Sequence, residues 1–133
     1  MENQVELRSN MFPPYEGEEE EINPGLWGKR LAEYLLENLS KEGVNVVGIG
    51  AEDWGWIVTL ENKEFPLWIG CGHQYGEDDE FLCFIEPSKP YIRKWFKKID
   101  TTVLVRRVAD VLRKILEASP EIHSIKWSTV SNG

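Results

Sequence analysis

At 133 residues the chain can build one domain with its own hydrophobic core and is too short for two ordinary ones. With 41% hydrophobic and 29% charged residues it falls outside the disordered and fibrous classes. Its net charge of −8 is unevenly spread: residues 1–88 carry 5 Lys/Arg against 19 Asp/Glu, and residues 89–114 carry 9 against 2. Such an acidic total argues against nucleic acid as a partner, because phosphate binding depends on charge neutralisation and counterion release.

No run approaches the roughly 20 apolar residues that span a bilayer. Residues 1–10 lack the basic end and apolar centre of a signal peptide. Two cysteines, Cys71 and Cys83, do not make a disulfide scaffold. These features predict a cytoplasmic protein with neither a membrane nor a nucleic acid as partner.

In chain order, QVELRSNMF alternates Val5 and Leu7 and reads as an edge strand or an arm, interrupted by Pro13 and Pro14. The like-charged run at residues 16–21 predicts an exposed loop. Asn23-Pro24 is a good helix start, because Asn can cap free N–H groups and proline at the first helical position loses no needed donor. Trp27, Leu31, Tyr34, Leu35 and Leu39 then recur at helical spacing up to Gly43, predicting a helix over residues 24–42.

Alternation replaces the helical period from Val44. VNVVGIG predicts a short strand, and Trp54 to Leu60 a longer one with Trp54, Trp56, Val58 and Leu60 on one face. After a polar turn at residues 61–64, Phe65, Leu67, Ile69 and Cys71 alternate in the second arm of a hairpin. A polar loop at residues 73–80 leads to FLCFIE, the third strand of an antiparallel meander.

YIRKWFKKI, residues 91–99, reads as one or two turns of basic amphipathic helix with its aromatics turned inward. Asp100-Thr101 caps a second long helix whose apolar stripe is Leu104, Val108, Val111, Leu112 and Ile115. Residues 122–129 supply a last strand. This order predicts an α+β two-layer sandwich, a mainly antiparallel sheet with two long helices on one face. Trp68 or Trp127 would be left on the other.

The segment EEINPGLWGKRLAEYLLENL, followed after a short gap by AEDWGW, resembles a family of small uncharacterised bacterial proteins. Their shared pattern is an acidic run, Asn-Pro-Gly, a glycine and Leu-Ala in the first helix, and Glu-Asp-Trp-Gly-Trp. The resemblance covers residues 9–60. It implies a bacterial, soluble, single-domain protein and brings neither an activity nor functional residues.

Glu52, Asp53, Trp54 and Trp56 are the candidate binding residues. Alternation sends both indoles to one face, which favours a strand entrance packed under the helices, its carboxylates accepting indole or backbone N–H bonds. In the functional reading, a cleft at the strand end lets Glu52 and Asp53 hold a cation beside an indole face.

Cys71, His73, Cys83 and His123 are metal-ligand types, but no paired CxxC or familiar zinc spacing joins them, so buried thiols and a surface histidine are preferred and no metal or cofactor is expected. A Cys–His nucleophile would need hydrogen-bond reach and a lowered thiol pKa. Asp78-Asp79-Glu80 reads as solvated charge, and Gly48-Ile-Gly50 is not a phosphate loop. The basic segment with Tyr91, Trp95 and Phe96 could meet phosphate or a membrane surface, but inward aromatics and the acidity elsewhere weigh against both.

The expected function is therefore non-catalytic binding of a protein partner with a basic surface. In size and acidity alone the chain is comparable to toxin-neutralising immunity proteins. One alternative is a ligand pocket or enzyme cleft near Glu52 and Asp53. The other is a structural domain whose free sheet face pairs into a homodimer.

Overall fold

The computed structural model describes residues 1–73 and 76–130. It is an α+β fold of two layers. The strands are β1 (Gln4–Arg8), β2 (Val46–Glu52), β3 (Gly55–Leu60), β4 (Leu67–Gly72), β5 (Glu80–Glu86), β6 (Tyr91–Lys94), β7 (Lys97–Asp100) and β8 (His123–Ser128). The helices are α1 (Glu18–Glu21), α2 (Lys29–Lys41) and α3 (Thr102–Ala118).

Six strands form one antiparallel sheet in the order β2-β3-β4-β5-β1-β8, and β6 pairs with β7 separately. The expected meander is present as β2 to β5. However, β1 is neither edge nor arm, because it lies between β5 and β8 with Val5 opposite both Cys83 and Trp127. Its partners are distant in sequence, and no local pattern announces them.

Strand alternation separates two faces. Val5, Leu7, Val58, Ile69, Cys83 and Ile85 point into the core together with Leu31, Leu35 and Leu39 of α2 and Val105, Leu112 and Leu116 of α3. The two long helices cover this face, as the apolar stripes require. Trp127 also belongs to the helix side, since the Arg113 guanidinium of α3 lies 4.6 Å from its ring centroid. Of Trp68 and Trp127, one of which was expected opposite the helices, it is Trp68 that lies there, packed with Phe84.

Helix α2 begins later than Asn23-Pro24 suggests. Residues 23–26 instead make a turn, in which the Leu26 N–H donates to the Asn23 carbonyl at 3.0 Å. Helical residues start only after Gly28, whose backbone lies so close to β4 that a Cβ there would sit 2.8 Å from the Gly72 Cα. Trp27, Leu31 and Leu35 are nevertheless all buried. The far end closes as expected at Gly43, with φ 84° and the Val44 N–H donating to the Leu39 carbonyl at 3.0 Å. The acidic run is likewise not a loop, since Glu18–Glu21 form one helical turn.

The largest departure is residues 91–99. They form the hairpin β6–β7, with Ile92 opposite Ile99 and Trp95-Phe96 at the tip. Ile92, Trp95, Phe96 and Ile99 stand at i, i+3, i+4 and i+7, which mimics a helical stripe. The hairpin uses only the two isoleucines as its inner contacts. Its base is fixed where the Thr101 N–H donates to the Pro90 carbonyl at 3.1 Å and the Thr101 hydroxyl donates to the Lys89 carbonyl. At the start of α3 it is Asp100 that meets a free backbone donor, its Oδ2 receiving the Val103 N–H at 3.4 Å while its Oδ1 accepts the Thr102 hydroxyl at 2.7 Å.

Candidate functional site

In EDWGW the second strand, β3, begins at Gly55, one residue later than the sequence pattern places it. Glu52 pairs with Gly55, leaving Asp53 and Trp54 as a two-residue turn between β2 and β3. A Cβ on Gly55 would lie 2.8 Å from the Cys71 carbonyl oxygen, so β3 and β4 close tightly there. Alternation starts at Gly55 rather than at Trp54, and the two indoles part company. Trp56 enters the core at 5% exposure, opposite Cys71. Trp54 lies on the open face, with ring centroids 5.2 Å from Phe84 and 6.2 Å from Trp68. The shared face expected for the pair is thus corrected.

The acceptor for Trp56 is Glu18. Its Oε2 receives the Trp56 indole N–H at 3.1 Å, the Gly28 N–H at 2.7 Å and the Lys29 N–H at 2.9 Å. Its Oε1 receives the Tyr15 N–H at 2.9 Å. Only 3% of Glu18 is exposed, and such burial is tolerable because donors surround the carboxylate and α2 points its positive end at it. Glu18 therefore caps a helix that starts eleven residues later, a relationship that standard spacing rules do not reveal.

A second bond fixes the same corner. The Asn23 side-chain amide donates to the Asp53 carbonyl oxygen at 2.7 Å. The acidic run, the Asn-Pro-Gly turn and EDWGW thus meet in space. Glu18 and Trp56 lie inside, while the side chains of Glu52, Asp53, Glu20 and Glu21 are exposed around the joined turns. The two carboxylates of EDWGW accordingly face solvent, and the part-exposed Trp54 stack stands beside them.

Other reactive residue types are occupied. Cys71 and Cys83 face each other across β4 and β5, fully inside the core. Burial pushes both thiols up, Cys71 well above its usual range and Cys83 to about 12, which opposes the thiolate that nucleophilic chemistry needs. His73 is buried. Its ring stacks on Trp27 at 4.0 Å, and its Nδ1 lies 2.8 Å from the Glu80 carbonyl oxygen, which fixes Nδ1 as the protonated nitrogen. His123 is exposed on β8 opposite Arg8. Asp79 is more than solvated charge: Arg8 Nη2 donates to it at 2.7 Å and Arg8 Nε at 3.1 Å, and this pairing holds its carboxyl below the usual range.

On the open sheet face a hollow of about 560 Å³ lies over β1, β5 and β8, with Glu6, Arg8, Leu82 and Lys126 among its walls. Glu52 and Asp53 are not part of it. At the hairpin tip, Trp95 is 89% and Phe96 100% exposed, a feature that the helical reading of this segment concealed.

Comparisons with protein-family models, with curated proteins and with solved structures each find no match.

Proposed function

We propose that this chain is a non-catalytic binding protein that captures a basic surface of another protein through Glu52, Asp53 and Trp54. The supporting observation is the division within EDWGW. Trp56 is consumed by the core, whereas the two carboxylates project from a turn whose backbone is pinned by Asn23. A rigid turn loses little conformational entropy on binding, and neighbouring carboxylates steer cationic partners toward it. Trp54 supplies an aromatic anchor of the kind that concentrates binding energy.

The commitment of the reactive groups supports a binding role over catalysis. Both thiols are deeply buried, the His73 ring is stacked and hydrogen-bonded, and the Glu18 carboxylate is occupied by four donors.

The test is capture of proteins from a bacterial lysate on the immobilised chain, at low and high salt. We expect a basic protein to be retained by the native chain and lost with Glu52→Lys/Asp53→Lys or Trp54→Ala, while the melting temperature of the charge variant stays near native. Retention insensitive to all three changes, or no retained protein, would refute the reading.

A further inference from the structure

The hairpin β6–β7 combines three locally unfavourable choices within residues 93–98. Arg93 stands directly opposite Lys98, and Lys94 directly opposite Lys97. Like charges in these positions repel. Between them Trp95 occupies a left-handed turn position, φ 60°, where glycine or asparagine is the ordinary choice and a bulky side chain is strained. The two aromatics of the turn are then left in water, Phe96 completely. A hairpin tip needs none of this for its own stability, and residues that break local rules together mark a site selected for something else.

We propose that this hairpin is a membrane-docking finger that inserts Trp95 and Phe96 into the interfacial layer of an anionic lipid surface. The order of residues along the finger matches the order of layers in such a surface. Aromatic side chains come first, where headgroups meet acyl chains. One residue back on each strand stand Lys94 and Lys97, and a further residue back Arg93 and Lys98, roughly 3.3 Å and 7 Å behind the tip. Interfacial elements bury their apolar part about 5–10 Å deep, so both cation pairs would reach the phosphate level. Anionic headgroups would also relieve the repulsion within each pair. Tyr91 lies farther back with Lys98 Nζ 4.0 Å from its ring centroid.

A lipid surface fits better than an acidic protein or a nucleic acid. The aromatics sit on a two-residue turn where water surrounds them almost completely, which suits insertion into a yielding medium. The net charge of −8 opposes approach to any anionic surface, but a finger engages its target locally, within the roughly 8 Å over which charges act at physiological salt. The finger is also rooted far from Glu52–Trp54. The chain leaves β5 at Glu86, opposite Trp68, at the end of the sheet where β3 finishes with Leu60, while the Asp53–Trp54 turn is at the other end.

The experiment is sedimentation of the intact chain with vesicles of phosphatidylcholine alone and of phosphatidylcholine with about one third phosphatidylglycerol. We expect salt-sensitive binding to the anionic vesicles, with quenching of tryptophan emission by brominated acyl chains. Trp95→Ser/Phe96→Ser should weaken binding at least about tenfold and remove the quenching. Lys94→Glu/Lys97→Glu should abolish the preference for anionic lipid. All four side chains are exposed, so near-native circular dichroism and melting are expected for both variants. Absence of vesicle binding by the native chain would overturn the proposal, as would undiminished binding by the Trp95/Phe96 variant. So would retention on heparin or an acidic protein without any vesicle binding.

Discussion

Trp56 and Glu18, 38 positions apart in the chain, are joined by an indole N–H donated to a buried carboxylate at 3.1 Å. That carboxylate also holds the first turn of α2. Removing it would orphan a set of buried donors at once. We expect Glu18→Ala to lower stability by about 3 kcal/mol or more, since a buried unsatisfied group costs about 1–3 kcal/mol. Trp56→Phe should cost less, and a double-mutant cycle by urea denaturation should show coupling between the two sites. Additive effects would contradict the shared bond.

The same corner depends on close backbone approach. Gly28→Ala would place a Cβ 2.8 Å from the Gly72 Cα, and Gly55→Ala one 2.8 Å from the Cys71 carbonyl oxygen. Each should destabilise by about 1–3 kcal/mol, because backbone neighbours cannot rotate aside. Gly48 in β2 has nothing within 4 Å of such a Cβ. Gly48→Ala should stay within about 0.5 kcal/mol of native in the same urea measurement.

The buried thiols give a pH dependence with a definite sign. In the unfolded chain a cysteine ionises near pH 8.5. In the fold Cys83 ionises only near about 12, and Cys71 is also raised. Above the unfolded value the native state binds more protons, so stability falls as pH rises, by up to about 1.4 kcal/mol per pH unit for each thiol. Their contribution is fully present below about pH 8.5. Denaturation midpoints between pH 7 and 10 should therefore decline in the native chain and flatten in a Cys71→Ala/Cys83→Ala variant. Equal slopes would show that other groups are responsible.

Legibility in the sequence followed the range of the interactions. The apolar stripes of both long helices and the β3–β4–β5 alternation depend on neighbours a few residues apart, and their elements formed on the expected face of the sheet. The position of β1 depends on partners near residues 80 and 125, so it read as an edge. Glu18 was hidden within a run of like residues, one of which alone turns inward. Trp95 and Phe96 were hidden for another reason: with Ile92 and Ile99 they satisfy the helical period, but the pairing Ile92 to Ile99 satisfies a hairpin too. Of EDWGW, the core role of Trp56 was legible, whereas the one-residue shift that turns Trp54 outward was set by the Glu52–Gly55 pairing.

Indole N–H exchange with deuterated solvent, followed by nuclear magnetic resonance on assigned tryptophans, most directly tests whether Glu18 welds the two motifs into one corner. The Trp56 indole proton should exchange far more slowly than that of Trp95, and Glu18→Gln should move the Trp56 resonance while leaving Trp95 in place. Exchange of Trp56 as fast as that of Trp95, with no response to Glu18→Gln, would mean that the carboxylate does not hold it and that EDWGW is not anchored from within.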